Sequence, residues 1–293
     1  MKATLSITRV PKSFRTVKHV LEKLDTQIRL HRHRIRDYKS NLQFNFEKGH
    51  FIVKTVDNGA ELEECLKLRF DVFHREFMNK SRTFGVDLEK LDFVSDHLVI
   101  IDKRIDRIIG TYRLNSSKFT DTFYSAGEFV MDEVLKLPGN KLELGRACID
   151  REYRKGAVIA LLWRGIAEYI NLTETRVLFG CASIKTEDEF ESALLYRYFA
   201  EQGHMDLSLG VTPTKKFKFD NFSRSLDYVE SVPARFNQEA IAAMVPTLFS
   251  SYLRAGAKIC GEPAYDRDFH CIDFLTILKI DELSPMFVKK YKI

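Results

Sequence analysis

Strand-like and helix-like segments alternate along most of this chain, and that alternation restricts its fold more than any other feature of the sequence. Runs typical of strands fall at residues 50–56, 97–101, 107–114, 141–149, 177–183, 257–260 and 272–280. Runs with apolar residues three or four apart, typical of helices, fall at residues 58–78, 157–171, 187–201 and 238–254. Strands and helices mixed in this order predict an α/β or α+β domain with a mixed central sheet flanked by helices.

The first 43 residues differ from the rest of the chain in charge. They contain eleven Lys or Arg residues and three acidic residues, a net charge of +8, whereas the whole 293-residue chain carries +5. Apolar residues recur among these charges at helical spacing, at Phe14, Val17, Leu21, Leu24, Ile28 and Ile35. We therefore predict a basic amphipathic helix within residues 1–45, followed by one domain at residues 46–293.

A basic amphipathic helix of this kind suits an anionic membrane surface, where each nearby Lys or Arg contributes about 1 kcal/mol. An acidic protein partner would suit it equally well. The simpler alternative is a helix that packs on the domain and keeps its charges in water. We expect no nucleic-acid partner, because no nucleic-acid-binding motif accompanies the charge.

Several classes of protein are disfavoured by what the sequence lacks. It has no apolar run of about 20 residues that would span a bilayer and no apolar stretch typical of a secretory signal. Its five Cys residues are widely spread without a C-x-x-C pair, which favours reduced thiols over disulfides or a metal site. Nucleotide-binding loops and zinc-protease or serine-hydrolase motifs are also missing. We expect a cytoplasmic protein, with peripheral contact to the inner face of the cytoplasmic membrane.

Two charged features stand inside segments that otherwise read as buried. Arg69 lies on the apolar stripe of its predicted helix, where a guanidinium needs a carboxylate partner. Glu143 and Arg146 lie in a predicted central strand, and in a regular strand they would point to opposite faces. Gly145 between them is a natural place for a bulge that re-aims one side chain. These residues form either a catalytic site or a salt-bridge cluster that only organises the core.

Seven short motifs carry a family resemblance across roughly residues 50–290. The motifs lie at residues 68–73, 96–97, 110–114, 143–148, 162–166, 178–183 and 266–269. In this order they resemble the GNAT-type N-acyltransferases that begin ornithine-lipid synthesis. More distantly, the pattern is similar to the acyl-homoserine-lactone synthases. The resemblance implies a GNAT-like fold.

The resemblance also implies a reaction. A 3-hydroxyacyl group would pass from the phosphopantetheine thioester of an acyl-carrier protein to the α-amine of an amino acid, typically ornithine, giving a lyso-aminolipid. No tightly bound cofactor and no metal would be needed. Two alternatives stay open at this point: a synthase that makes a soluble N-acyl amino acid signal, as the lactone synthases do, and a haemolysin-like membrane binder without catalysis.

The resemblance assigns roles to the charged residues. Glu143 becomes the first choice for the general base or for a ligand of the substrate ammonium. Arg146 would orient Glu143 or hold the substrate carboxylate. Arg69 and Arg113 match the charged cluster of the family, with Asp96 as their expected partner and as a second candidate base.

A further set of residues would bind the two substrates. By resemblance, the backbone at Cys148 and Ile149 would meet the thioester carbonyl, and the segment 181–183 would admit the pantetheine arm where two strands part. Direct transfer is expected rather than an acyl-enzyme on Cys181. The full set of expected substrate-binding residues is Arg69, Phe73, Arg113, Cys148, Ile149, Trp163, Cys181, Ala182 and Ser183.

The choice of donor rests on the segment 154–159. In the wider GNAT pattern, glycines here let backbone amides approach the pyrophosphate of acyl-CoA. Here Ala157 and Ile159 occupy the positions of both glycines, which favours a protein-bound donor over acyl-CoA. Because the usual carrier protein is acidic, we expect Arg151, Arg154 and Lys155 to contact it.

Overall fold

The structure is a computed structural model that describes residues 32–78, 85–154, 156–232 and 237–291. The strands within these ranges are β1 (Asn45–Lys48), β2 (Phe51–Thr55), β3 (Asp96–Asp102), β4 (Arg107–Ser116), β5 (Phe129–Val130), β6 (Asn140–Ile149), β7 (Thr175–Ile184), β8 (Thr212–Pro213), β9 (Lys258–Ile259), β10 (Ala264–Asp266) and β11 (Cys271–Lys279). Each strand run predicted from the sequence contains one of these strands or overlaps it.

The helices follow the predicted pattern with more breaks. They are α1 (Gly59–Phe70), α2 (Ser125–Glu128), α3 (Asp132–Lys136), α4 (Ala157–Thr173), α5 (Glu189–Glu201), α6 (Phe222–Ser231), α7 (Gln238–Met244), α8 (Thr247–Ala255) and α9 (Pro285–Tyr291). Helix α1 continues into a π-helical segment, Asp71–Phe77, so the predicted helix at 58–78 changes its winding part-way. The helix predicted at 238–254 is two helices, α7 and α8, and Pro246 between them explains the break.

A large mixed sheet forms the centre of the domain. Its strand order is β1-β2-β3-β4-β6-β7-β11-β10, and β9 adds to β11. The neighbours pair antiparallel except β6 and β7, which are parallel. The predicted mixed sheet flanked by helices is therefore confirmed.

Helices cover both faces of this sheet because the strands alternate their buried side chains. In β3, Leu98 and Ile100 pack in the apolar cluster that contains α4, whereas Val99 packs in the cluster that contains α1. Because successive side chains of a strand point to opposite faces of the sheet, β3 contributes to the apolar core on each face. At the start of α1, the side chain of Asn58 accepts hydrogen bonds from the backbone N–H groups of residues 60 and 61, the expected N-cap.

The described end of the basic N-terminal segment packs on the domain. Residues 32–36 are helical, and Ile35 and Tyr38 are buried. The Tyr38 hydroxyl donates a hydrogen bond of 2.9 Å to the carbonyl of Ser95. The stripe positions 14–28 of the predicted amphipathic helix lie outside the described residues. Among the residues that are described, no helix has the length and apolar character needed to cross a bilayer.

The parallel strands β6 and β7 part half-way along their length. Their register pairs Leu142 with Leu178 and Glu143 with Phe179, and pairing ends there. Next along β7 comes Gly180, where an added Cβ would lie 2.3 Å from the Leu144 carbonyl oxygen. Beyond this contact the two strands diverge and leave a cleft in the middle of the sheet.

Candidate active site

A cavity of about 480 Å³ occupies the cleft between β6 and β7. Much of its wall is apolar and comes from α4, α8, β7 and β11. The larger apolar lining residues are Leu144, Trp163, Leu178, Phe179, Leu248, Phe249, Tyr252, Ile277 and Leu278. A chamber of this size and character suits a hydrocarbon chain.

Charged and polar side chains also line the cavity, and they come mainly from β4, β6, β7 and the β10–β11 hairpin. They include Arg113, Ser125, Glu143, Arg146, Cys181, Ser183, Lys185, Asp266, Cys271 and Asp273. The same cavity therefore presents both apolar and charged side chains.

A bulge in β6 turns Arg146 into this cavity. Thr111 of β4 pairs with Cys148 and Arg113 pairs with Gly145, so two residues of β6 stand opposite Tyr112 alone. Arg146 has a φ of 49°, a left-handed conformation that costs a non-glycine residue roughly 1–2 kcal/mol. The predicted bulge is confirmed, one residue beyond Gly145. It brings Glu143 and Arg146 to the same cavity wall.

Three guanidinium groups and three carboxylates form a buried network beside the cavity. This arginine cluster comprises Arg69, Arg113, Arg146, Asp87, Glu89 and Asp92. Arg69 bridges two acids, with 2.7 Å from Nη2 to Asp87 Oδ2 and 2.7 Å from Nη1 to Asp92 Oδ1. Arg113 Nη1 lies 2.6 Å from Glu89 Oε2, and Arg146 contacts Glu89 and Asp87. Positive and negative charges are balanced within the cluster.

The pKa values of the acids reflect this balance. Burial opposes ionisation of Asp87, but Arg69 and Arg146 lower its pKa to about 2. Burial likewise opposes ionisation of Asp92, and Arg69 and Arg113 hold its pKa well below the usual range. Both acids are therefore carboxylates at neutral pH, paired with guanidinium groups.

The expected pairing of Asp96 with Arg69 and Arg113 is wrong. Asp96 accepts hydrogen bonds from the backbone of Asn41 at 2.6 Å and from the Tyr169 hydroxyl at 2.7 Å. Burial raises its pKa. Among the described residues Asp96 is not part of the cavity wall; it ties residues 41–42 to α4 and the sheet.

Glu143 does line the cavity, but Arg146 does not orient it. Its carboxylate accepts hydrogen bonds from the backbone N–H of Tyr124 at 2.9 Å, from that of Ser125 at 2.7 Å and from Asn115 Nδ2 at 3.2 Å. The expectation that Arg146 pairs with Glu143 is wrong, because the carboxylate partners of Arg146 are Asp87 and Glu89. A carboxylate offers about four acceptor sites, so Glu143 keeps one for a ligand.

The remaining predicted substrate-binding residues divide into two groups. Phe73, Trp163, Cys181, Ala182 and Ser183 line the cavity. Within the described residues, Arg69, Cys148 and Ile149 are absent from its wall. Cys148 pairs with β4 and packs against the α1 side of the sheet, so the wall of the cleft in β6 is formed earlier in the strand, by residues 143–147.

Comparison with known proteins agrees with this geometry. A family model described as an acetyltransferase (GNAT) domain matches residues 68–164. The L-ornithine N(alpha)-acyltransferase of Rhizobium meliloti (strain 1021) is 28% identical over 80% of this chain and 81% of its own length. The enzymes of the same name from Brucella abortus (strain 2308) and Agrobacterium fabrum (strain C58) are 28% and 29% identical, over 83% and 80% of this chain and 89% and 82% of their own lengths. The chain is a GNAT-fold acyltransferase.

The acyltransferase has a second group of buried acids, which the sequence did not reveal. Glu128, Asp266 and Asp273, here called the acidic pocket, converge beside Cys181 and Ser183 of β7. Burial and the nearby Asp273 raise the pKa of Glu128 to about 8. Burial, with Asp266 close by, raises the pKa of Asp273 to about 6. One signal was available in the sequence, since Asp266 opens the motif at residues 266–269.

The residues expected to contact a carrier protein follow directly after the C-terminal end of β6. Arg151 is exposed. Arg154 pairs with Glu76 at 2.9 Å and donates a hydrogen bond to the Ile149 carbonyl, so part of its charge is already engaged. Lys155 lies outside the described residues. Contact of this surface of the acyltransferase with a carrier protein stays a prediction.

Proposed function

We propose that this acyltransferase moves a 3-hydroxyacyl group from an acyl-carrier protein to the α-amine of ornithine, giving a lyso-aminolipid. The observation that carries the proposal is the cavity between β6 and β7, whose wall is apolar on α4 and α8 and charged on β6 and β11. The names of the curated relatives supply the choice of ornithine.

Direct transfer of the acyl group is supported by the state of Cys181. Its Sγ lies 3.4 Å from Ser125 Oγ and 3.4 Å from Glu128 Oε2. Burial, with Glu128 and Asp273 nearby, holds the pKa of this thiol well above its usual range. A neutral thiol is a poor nucleophile, so the amine attacks the thioester without an acyl-enzyme intermediate.

Glu143 and Arg146 bind the acceptor in this proposal. The free acceptor site on Glu143 receives one N–H of the α-ammonium and holds the nitrogen near the thioester carbonyl. Once this nitrogen has lost a proton to solvent, it attacks the carbonyl; the C–N bond forms, the C–S bond breaks, and the phosphopantetheine leaves as a thiol that carries the second proton. Arg146 binds the α-carboxylate, because its guanidinium lines the cavity and its Nε, 3.4 Å from Asp87 Oδ2, donates no hydrogen bond to a described residue. For each residue, this is the second of the two roles expected from the sequence: ligand of the ammonium for Glu143 and ligand of the carboxylate for Arg146.

The donor is proposed to be protein-bound because of the segment 154–159. The side chains of Ala157 and Ile159 stand where glycines would let a pyrophosphate approach the backbone. The basic residues 1–43 are proposed to attract the acidic carrier protein or an anionic membrane.

Product analysis tests the proposal. Purified enzyme is incubated with 3-hydroxyacyl-carrier protein or with the matching acyl-CoA, together with ornithine, glycine or lysine, and the lipid extract is weighed by mass spectrometry. We expect N-acylornithine with a free carboxyl group, formed faster from the carrier protein. A soluble N-acyl product, or equal use of acyl-CoA, would contradict the corresponding part of the proposal.

A variant tests the role of Glu143. Replacing it with Gln (Glu143→Gln) puts an amide N–H₂ where an ammonium must be accepted, and we expect kcat/KM for ornithine to fall by roughly 10²-fold or more. The melting temperature serves as the control for folding, since Glu143 also fixes the backbone of residues 124–125. Unchanged turnover would remove Glu143 from the mechanism.

A further inference from the structure

The acidic pocket brings three acidic side chains together without a cationic partner. In the described part of the chain, the hydrogen-bond partners of Glu128, Asp266 and Asp273 are thiol, hydroxyl and backbone N–H groups, and none is the side chain of a Lys or Arg. Arg146 is close enough to influence Asp273, but its ion-pair partners are Asp87 and Glu89. Three buried acids without a cation are costly for a folded protein unless a ligand supplies the charge.

One oxygen in the acidic pocket lacks a hydrogen bond to any described residue. Glu128 is only 2% exposed, and its Oε1 is buried and accepts no hydrogen bond, although the Tyr124 hydroxyl lies near the carboxyl group. Its other oxygen, Oε2, is contacted by the Cys181 thiol. A buried carboxyl oxygen left unpaired marks a place where a donor is missing.

The acidic pocket opens into the cavity of the proposed active site. Asp266 and Asp273 line that cavity, and Ser183, another lining residue, donates a hydrogen bond of 2.5 Å to Asp273 Oδ1. Glu128 reaches the same wall through Cys181. A molecule that lies between β6 and β7 therefore reaches these acids without passing through another part of the protein.

The donors and acceptors of the acidic pocket suit an ammonium group better than a metal ion. Asp266, Cys271 and Asp273 place their ligand atoms within 4.8 Å of one another, but the Cys271 thiol donates a hydrogen bond to Asp273 Oδ2 at 3.7 Å and so occupies one of the acceptor positions. Asp266 Oδ1 already accepts the N–H groups of residues 268 and 269. An ammonium has three N–H donors and no acceptor, which matches three converging carboxyl groups.

The acidic pocket is also joined to Arg146 by Phe269. The Arg146 guanidinium stacks on the Phe269 ring, 5.1 Å from its centroid, and the Phe269 backbone N–H lies 3.1 Å from Asp266 Oδ1. The loop that contains Phe269 thus connects Arg146, which is proposed to bind the acceptor carboxylate, with the acidic pocket.

We propose that the acidic pocket binds the side-chain ammonium of a diamino acid acceptor and so selects such acceptors over neutral amino acids. The inference rests on the proposed function, because it names the part of the same cavity that recognises the far end of ornithine. The α-amine is then left at the parting of β6 and β7, where it is acylated.

A matched pair of acceptors tests this inference. Norvaline has the carbon chain of ornithine without the terminal amine, so the ratio of kcat/KM for ornithine to that for norvaline measures recognition of that amine. We expect the wild-type ratio to be roughly 100 or more, and Glu128→Gln or Asp273→Asn to lower it by roughly 10- to 100-fold. Asp268→Asn, which changes an exposed acid in the same loop, is the matched control and should leave the ratio unchanged.

The possible results separate failure of the inference from failure of the proposed function. Equal losses with both acceptors in the two variants would mean a role in catalysis or folding and would overturn the inference. If the wild-type enzyme acylates norvaline as well as ornithine, the inference fails while the N-acyltransferase function stands. If it acylates neither, the proposed function fails as well.

Two binding measurements keep the test valid for variants that fold but do not turn over. Calorimetric titration with ornithine alone should show weaker binding to Asp273→Asn, whereas norvaline should bind both proteins equally. Equilibrium dialysis with Zn²⁺ or Mg²⁺ alone should show no stoichiometric metal. Metal binding that disappears in Asp273→Asn would overturn the ammonium assignment.

Discussion

The arginine cluster and the acidic pocket are both buried and both adjoin one cavity, but they treat charge in opposite ways. In the arginine cluster every carboxylate contacts a guanidinium, and the pKa of Asp87 falls to about 2. In the acidic pocket the carboxyl groups face one another, and the pKa of Glu128 rises to about 8. A carboxyl group is thus ionised at neutral pH in the arginine cluster, whereas in the acidic pocket Glu128 keeps its proton at neutral pH.

This difference suggests different contributions from the two groups. The arginine cluster balances its own charges and fixes β4, the bulge in β6 and the segment 87–92 relative to one another, while Arg113 and Arg146 also face the cavity. The acidic pocket lacks a cationic side chain, and perturbed electrostatics of this kind are a common mark of a functional site. Substitutions in each group test the contrast.

The largest effect is expected from breaking the arginine cluster. Arg69→Met keeps the length of the side chain but leaves Asp87 and Asp92 without their principal partner. Because an uncompensated buried charge is expensive, we expect the free energy of unfolding to fall by about 3–5 kcal/mol. Urea denaturation measures the loss.

Arg75→Met is the matched control for that variant. Arg75 lies six residues further along, in the π-helical segment that continues α1, and forms an exposed ion pair with Asp71 at 2.7 Å. Its removal should cost less than about 1 kcal/mol. Similar losses for the two variants would mean that burial does not distinguish the two ion pairs.

A smaller effect of opposite sign is expected in the acidic pocket. Glu128→Gln removes a charge that has no cationic partner, and we expect the free energy of unfolding at pH 8 to rise by about 1–2 kcal/mol. Thermal unfolding in the absence of substrates measures the change. Destabilisation by Glu128→Gln would show that the carboxylate is already neutralised in the free enzyme.

The raised pKa of Glu128 should also affect how the free energy of unfolding depends on pH. Glu128 keeps its proton in the folded enzyme up to a pH of about 8, whereas the unfolded chain releases it near 4.5. The folded state therefore binds more protons in this window, and this contribution to stability is lost as the pH rises from about 4.5 to about 8. The titratable groups that face Glu128 are Tyr124, Cys181, Asp266 and Asp273.

Unfolding curves for wild type and Glu128→Gln at a series of pH values isolate the contribution of Glu128. The free energy of unfolding of the variant should exceed that of wild type least near pH 5 and most near pH 8. Parallel profiles would contradict a raised pKa for Glu128.

The smallest expected effect is a pH-dependent response to the acceptor. Ornithine should raise the melting temperature more at pH 8 than at pH 6, because its ammonium binds the ionised form of Glu128. A fivefold change in Kd corresponds to about 1 kcal/mol of added stability. Norvaline, without the terminal amine, should show no such difference between the two pH values.

The sequence was a good guide where the pattern was local. It predicted the strand around Glu143, the bulge next to Gly145 and the need of Arg69 for a carboxylate, because each follows from periodicity or from the energy of a buried charge. It failed for Asp96, which is near Arg113 in the sheet register but turns its carboxylate to the N-terminal segment and Tyr169.

The true partners of the arginines could not be read from the pattern. Asp87 and Asp92 lie in a segment without strand or long-helix periodicity, and the path of such a segment depends on tertiary contacts. The acidic pocket was missed for a related reason. Glu128, Asp266 and Asp273 come from stretches far apart in the chain, and only the pairing of β7 with β11 brings Asp273 opposite Ser183.

The contact between Gly180 and Leu144 has a consequence for the range of acyl chains. Because a Cβ at residue 180 would lie 2.3 Å from the Leu144 carbonyl oxygen, the main chains of β6 and β7 touch at this point. Rotamer changes cannot widen a contact between main chains. Under the proposed function, tolerance for longer acyl chains must therefore come from side chains elsewhere in the cavity wall, such as those of α4 and α8.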